Sequence, residues 1–304
     1  VSGQDRHGLG DPRIAWTVLL TATLREAPSA ALISARLDEL AGAENWSSSP
    51  PLAITVNGDE VTLAADHRYL DGQAMLAALS RLLDRPVRSL ATGVGSERRR
   101  AGLGLGGAKR LFEVSARPSA VLAPTSTGDS DEDAIAHAHL PYRVSTSDLV
   151  VAATDALAGG SPRPISVAVG VATRVGSELA DNSGYLRIRD ARGLSRAEVS
   201  DFLRRAPLQP GGEPAGAVGA LASIATRALA NRLGSTVLVS HLGDVVADGV
   251  ADLAFYPVSG GASGLSLGAA TIEGRTTITL RARGHRHSSD GLERLLETIT
   301  AALG

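Results

Sequence analysis

Two stretches far apart in the chain spell out the same unit. In the first, Leu52–Val56 and Val61–Ala65 flank Asn57-Gly58, a dipeptide suited to a tight hairpin turn. The polar run Asp66-His67-Arg68-Tyr69-Leu70-Asp71-Gly72 follows, and then a predicted helix over Gln73–Leu83. In the second, strands Leu265–Ile272 and Arg275–Arg283 meet at Glu273-Gly274, and His285-Arg286-His287-Ser288-Ser289-Asp290-Gly291 leads into a helix over Gly291–Leu303. Two copies of hairpin, Asp-Gly turn and helix imply an internal repeat. Aligned on Asp-Gly, His67 faces Arg286 and Asp71 faces Asp290, so the first copy alone keeps an imidazole at that position and one site is expected.

Between the copies the pattern alternates. Ile14–Leu24 reads as a strand, and Pro28–Ala41 as a helix with Ala31, Leu32, Ala35, Leu37 and Leu40 at helical spacing. Further on come strand Ala134–Tyr142, helix Thr146–Leu157, strands Ile165–Thr173 and Tyr185–Arg189, and a helix opened by the capping box Ser195 to Glu198. A small-residue helix over Pro214–Leu233 precedes strands Thr236–Ser240 and Ala251–Tyr256. The expected organisation is an N-terminal lobe over 13–90, a linker or mobile basic loop over 91–125, and a C-terminal lobe over 126–304.

Composition narrows the chemistry. The 304 residues carry 30 Lys+Arg against 32 Asp+Glu, so no basic surface recommends nucleic acid or an anionic membrane as partner. Without cysteine there is no disulfide, thiolate nucleophile or cysteine-ligated metal. A single lysine, Lys109, is the lone candidate for Schiff-base chemistry. No stretch approaches the roughly 20 apolar residues of a bilayer span, and Val1–Pro12 has no apolar core of a secretory signal, so the expected location is cytoplasmic. Gly102, Gly104 and Gly107 match G-x-G-x-x-G without a preceding strand, and Asp129, Asp131, Glu132 and Asp133 lack the turn glycine and terminal glutamate of a calcium loop. His137 and His139 alternate on one predicted strand, and His285 and His287 sit in the second motif. Neither pair has a third ligand in view, so no metal is expected.

The candidate chemistry lies in the first motif. A histidine four residues before an aspartate, at a strand-to-helix junction, can present an imidazole, the natural general base near neutral pH, while the carboxylate turns inward. Spacing alone leaves open whether His67 is a surface-loop histidine and Asp71 merely a helix cap. The wording goes further, because Asp66 to Gly72 resembles the His-x-x-x-Asp-Gly signature of the chloramphenicol acetyltransferase-like superfamily, which includes nonribosomal peptide condensation domains. Asp181-Asn182-Ser183-Gly184-Tyr185-Leu186-Arg187 is similar to the condensation-domain segment in which Asn precedes Arg by five residues. Val239-Ser240-His241-Leu242-Gly243 is similar to their Ser-Asn-Leu-Gly element.

That resemblance implies an α/β (α+β) fold of two sandwich lobes with mixed sheets and an active-site tunnel between them. It also implies His67 as the catalytic base, Asp71 as a motif aspartate paired with Arg187 or Arg189, and Ser240 as a hydroxyl near the reacting carbonyl, with Asp66, Gly72, Asn182 and His241 at the substrate. The implied activity is acyl transfer from a thioester of coenzyme A or an acyl carrier protein to a hydroxyl or amine of a small-molecule acceptor, in natural-product biosynthesis. The acyl-CoA or phosphopantetheine thioester is a co-substrate, and no cofactor is bound tightly. Cyclisation or dehydration of a polyketide or peptide intermediate, and a non-catalytic docking role, are the alternatives. Asp66 stands where condensation domains usually carry a first histidine, and the chain is shorter than such a domain.

Overall fold

A computed structural model describes residues 17–46, 51–95, 97–98, 118–125, 132–159, 161–174, 176–209, 234–259 and 263–304. The expected helix over Pro214–Leu233, the glycines 102–107, Lys109 and the acidic residues 129 and 131 lie outside them. In chain order the described elements are β1 (Thr17–Leu24), α1 (Ala30–Ala43), β2 (Leu52–Asn57), β3 (Glu60–Asp66), α2 (Gly72–Leu83), β4 (Val87–Ser89), β5 (Asp133–Leu140), α3 (Thr146–Ala158), β6 (Val167–Ala172), β7 (Ser183–Ile188), α4 (Arg196–Arg205), β8 (Val237–Ala247), β9 (Val250–Tyr256), β10 (Leu265–Ile272), β11 (Arg275–Arg283) and α5 (Ser289–Ala301).

The first sheet runs β2-β3-β1-β9 and is antiparallel throughout. Period-two burial of Val18, Leu20, Ala22 and Leu24 on β1, and of Val61, Leu63 and Ala65 on β3, makes one face of this sheet apolar. Helix α2 packs with it and contributes Ala74, Met75, Leu76, Ala78, Leu79 and Leu82 to the same core. The hairpin between β2 and β3 turns on Gly58-Asp59 rather than on Asn57-Gly58, because Asn57 pairs with Glu60 and only Gly58 adopts positive φ, at 61°. A glycine in the first central position is what a type II′ turn requires.

The second sheet runs β5-β11-β10-β8-β6-β7, with β4 pairing the far half of β8, and it mixes antiparallel pairs with the parallel pairs β10–β8 and β6–β8. On one face Val167, Val169, Val237, Val239, Leu265, Leu267, Ile278 and Leu280 share a core with residues of α3, α4 and α5. The opposite, inner face is mixed: Gly170, Ser240, Ser266, Gly268, Thr277, Thr279 and Arg281 occupy alternate positions together with Leu238, Ala270 and Ile272. At Glu273 (φ 50°) and Gly274 (φ 81°) both turn residues are left-handed, as the expected tight turn demands.

Two differences from the sequence reading shape the interior. Strand β8 runs on to Ala247 because an irregularity at Leu242-Gly243, with Gly243 at φ 76°, redirects it to pair with β4. Strand β9, within the range expected to form the C-terminal lobe, instead completes the first sheet alongside β1. It lies over the inner face of the second sheet, where Thr279 Oγ1 donates to Phe255 O, Ser266 Oγ donates to Pro257 O, and the buried Arg281–Asp133 pair reaches Thr17 O. Thr279, Ser266 and Arg281 on that face thus donate to backbone carbonyls of β1 and of the segment through β9 to Pro257.

Candidate active site

The first motif runs from Asp66, the last residue of β3, to Gly72, the first of α2. At its start Asp66 is bound by Arg68, whose Nε lies 2.9 Å from both carboxylate oxygens and whose backbone N–H donates to Oδ1 at 3.0 Å. Burial acts to raise the Asp66 carboxyl, but the hydrogen bonds and charge of Arg68 together hold it below its ordinary value. Asp66 therefore closes its own turn through a local ion pair.

His67 is half-buried, and its Nδ1 lies 3.2 Å from the carbonyl of Leu70. A carbonyl only accepts, so Nδ1 carries the hydrogen and, in the neutral ring, Nε2 carries the lone pair. The turn thus sets the tautomer in which the lone pair lies on Nε2.

Asp71 is the N-cap of α2 and is 3% exposed. Its Oδ1 accepts from the backbone N–H of Ala74 at 2.8 Å, and its Oδ2 from the backbone N–H of Asn182 at 2.9 Å. The arginine partner expected from the resemblance is absent: Arg187 Nε donates to Ser166 Oγ at 3.1 Å, and Arg189 does not contribute to the hydrogen bonds of the carboxylate. Burial, joined by the nearby charge of Asp181, pushes the Asp71 carboxyl above its ordinary value in spite of the two backbone donors and His67. The expectation of a lowered value fails because desolvation outweighs the two backbone donors and the nearby His67.

Asn182 belongs to the loop between β6 and β7, in the second sheet, so the Asp71 contact ties that loop to the first lobe. The same loop is held by Thr173, whose N–H and Oγ1 both donate to Asn182 O, and by Arg81 of α2, which donates to Ser177 O at 2.9 Å. Leu179 packs against the core of the first lobe. Asn182 is thus engaged through its backbone. Gly72 plays a packing role, since a Cβ there would meet Leu242 Cδ2 at 2.8 Å and Phe255 Cζ at 3.0 Å.

Ser240 and His241 lie on opposite faces of β8. Ser240 is on the inner face, paired in register with Gly170 of β6 and Gly268 of β10. His241 is turned to the helical side, where its Nδ1 lies 3.2 Å from Thr146 Oγ1 at the start of α3 and its buried Nε2 has no hydrogen-bond partner. Burial lowers its pKa to about 4, so it is neutral near pH 7. Strand alternation, visible in the sequence, already separates these two neighbours.

In the second motif the cap of α5 is Ser288, with Asp290 inside the first turn. Superposed by their caps, Asp71 corresponds to Ser288 rather than to Asp290. Thr125 closes this copy: its Oγ1 accepts from Ser288 N–H, and a Cβ on Gly291 would come within 2.3 Å of it. His139 and His137 are exposed and bonded to Thr277 and Tyr256. Among the described residues no group of three or more His, Asp or Glu is placed to hold a metal ion, and no helix is long and apolar enough to cross a membrane.

No protein-family model matches the sequence, and no curated protein sequence does. Solved structures match over nearly the whole chain. The first condensation domain of the calcium-dependent antibiotic synthetase, in complex with a substrate analogue, is 15% identical, with 99% of this chain and 95% of that one covered and a TM-score of 0.54. The chain has the condensation-domain fold. Other solved structures agree: the starter condensation domain of rhizomide synthetase, in complex with C8-CoA and Leu-SNAC, is 13% identical over 95% of this chain and 88% of that one, with a TM-score of 0.54. The EpoB cyclization-docking bidomain of Sorangium cellulosum is 12% identical, covering 92% of this chain and 68% of that one, with a TM-score of 0.51. The two-lobed α+β architecture with mixed sheets, expected from the motif wording, is the architecture these proteins share.

Proposed function

We propose that the protein is an acyltransferase of condensation-domain type, with His67 as its general base. The observation that carries this reading is the Nδ1 contact of His67 with Leu70 O, which puts the ring hydrogen on Nδ1 and leaves the Nε2 lone pair to accept a proton at the junction of β3 and α2. In the reaction, the hydroxyl or amine of a small-molecule acceptor gives its proton to Nε2 as its heteroatom attacks the thioester carbonyl. The C–S bond then breaks, and the imidazolium returns the proton to the departing thiolate. Ser240 serves as donor to the oxyanion formed between these events. Asp71 is a positioning residue: it caps α2 and holds the loop that carries Asn182. The co-substrate is a pantetheine thioester of coenzyme A or of an acyl carrier protein; the rhizomide synthetase domain was solved with C8-CoA.

The test is thiol release from a panel of acyl-CoAs with mixed alcohol and amine acceptors, followed by mass spectrometry of the products. His67→Ala is expected to lower turnover by ~10²–10⁴-fold, the usual worth of a positioned base, with a melting temperature like that of the wild type. Equal turnover in this variant removes His67 from the mechanism. Conversion of a tethered substrate without release of thiol would replace transfer by cyclisation or dehydration.

A further inference from the structure

Ser240 has a glycine on each side of it in the sheet, and the two glycines do different things. Gly268, on β10, is buried, and its missing side chain is the space through which β9 passes: a Cβ there would lie 1.9 Å from Phe255 O and 2.7 Å from Pro257 Cδ. That flank of Ser240 is closed by the protein's own backbone. Gly170, on β6, is half-buried, and among the described residues the atoms nearest to a Cβ built on it all belong to Ser240, with Oγ at 3.0 Å and Cβ at 3.3 Å. On the far side of Gly170, in the same row of the sheet, stands the half-exposed Tyr185 of β7. The inner-face row thus reads Tyr185, Gly170, Ser240, Gly268, with a notch at Gly170 between an aromatic wall and the serine hydroxyl.

We infer that Gly170 is the specificity-determining position of the site: the group attached to the thioester carbonyl lies over Gly170, and the notch between Ser240 and Tyr185 admits donors branched next to that carbonyl. This deepens the acyltransferase reading and rests on it for the role of Ser240. The physical argument is a difference between two like residues. A strand glycine sacrifices packing and backbone entropy, and it persists where something must approach the backbone closely. At Gly268 the approaching group is Phe255 O. At Gly170 the neighbour in the row is the hydroxyl assigned to the reacting carbonyl, and a methyl group there would crowd that hydroxyl from the side that β9 leaves uncovered.

The experiment measures binding and transfer side by side, on the wild type, Gly170→Ala and Tyr185→Ala. Binding is read by calorimetry with unreactive thioethers of pantetheine, the moiety shared by coenzyme A and a carrier-protein arm, bearing an ethyl or an isobutyl group. Transfer is read as thiol release from acetyl-CoA and isobutyryl-CoA. For Gly170→Ala the expected result is at least a tenfold fall in the ratio of isobutyl to ethyl affinity, and a matching fall in the isobutyryl-to-acetyl rate ratio. Tyr185→Ala is expected to move the isobutyl-to-ethyl ratio the other way. Should Gly170→Ala bind both thioethers as the wild type does, or weaken both alike, the inference about Gly170 is overturned while acyl transfer by the wild type keeps the wider reading intact. Should the wild type neither bind a thioether nor release thiol from any acyl-CoA, both fall together.

Discussion

Removal of the Asp71 carboxylate tests how the two lobes are held in register. In Asp71→Ala the helix α2 loses its cap, and the backbone N–H of Asn182 loses the acceptor that reaches it from the other lobe. Loss of a cap costs ~0.5–2 kcal/mol, and a half-buried donor left without a partner costs ~1–3 kcal/mol. Taken together, with allowance for relaxation of the loop, a loss of about 2–4 kcal/mol is expected in urea titrations near neutral pH. Asp71→Asn keeps one acceptor oxygen and should lose about half as much. The pH dependence separates this arrangement from an ion pair. Because burial raises the Asp71 carboxyl above its ordinary 3.8, the folded state holds that proton more tightly than the unfolded chain does. Wild-type stability relative to Asp71→Asn is therefore greatest below pH 3.8, falls as pH rises toward the raised value, and is level above it. A carboxylate paired with arginine would give the opposite slope. An Asp71→Asn curve whose deficit grows with rising pH across that window would refute the backbone-clamp geometry, and so would an Asp71→Ala protein as stable as the wild type.

Two further outcomes follow from the packing around the motif. Gly72→Ala drives a methyl group against Leu242 and Phe255 and should cost ~1–3 kcal/mol by overpacking, read as a lower urea midpoint; an unchanged midpoint would show that these side chains move aside freely. His241 is buried and neutral with a pKa of about 4, against 6.5 for the ordinary group, so its contribution to stability is complete above pH 6.5 and is lost as pH falls toward 4. That loss amounts to at most about 3 kcal/mol, and it should vanish from the pH–stability curve of a folded His241→Gln protein.

Local chemistry accounts for what the sequence makes legible. Glu273-Gly274 marks its hairpin because two left-handed residues in succession are rarely accepted elsewhere, and Ser195 with Glu198 marks the start of α4 because both ends of that capping box are local. The position of His67 between strand and helix was equally readable. What lay beyond local reading is the partner of each group. Nothing near Asp71 in sequence says that Asn182 N–H, rather than Arg187, will meet it, since that contact joins two sheets. The alternation of β8 breaks at Leu242-Gly243, which reads as a strand end near Ser240, although the irregularity is what redirects the strand toward β4. The allegiance of β9 to the first sheet is hidden for a similar reason: its consecutive buried residues Leu253 to Tyr256 suit either sheet, and only the hydrogen-bonding edge of β1 decides between them.

The placement of β9 also has a consequence for synthesis of the chain. Once β1, β2 and β3 have left the ribosome, the outer edge of β1 has no hydrogen-bonding partner until Tyr256 has emerged, roughly 230 residues after β1 itself. At ~5–20 residues per second this interval is on the order of ten to fifty seconds. Throughout it the nascent N-terminal sheet presents an unpaired, apolar edge of the kind that recruits other strands. Slow translation between Leu24 and Val250 would lengthen that exposure, and a nascent-chain holdase would find its substrate at β1.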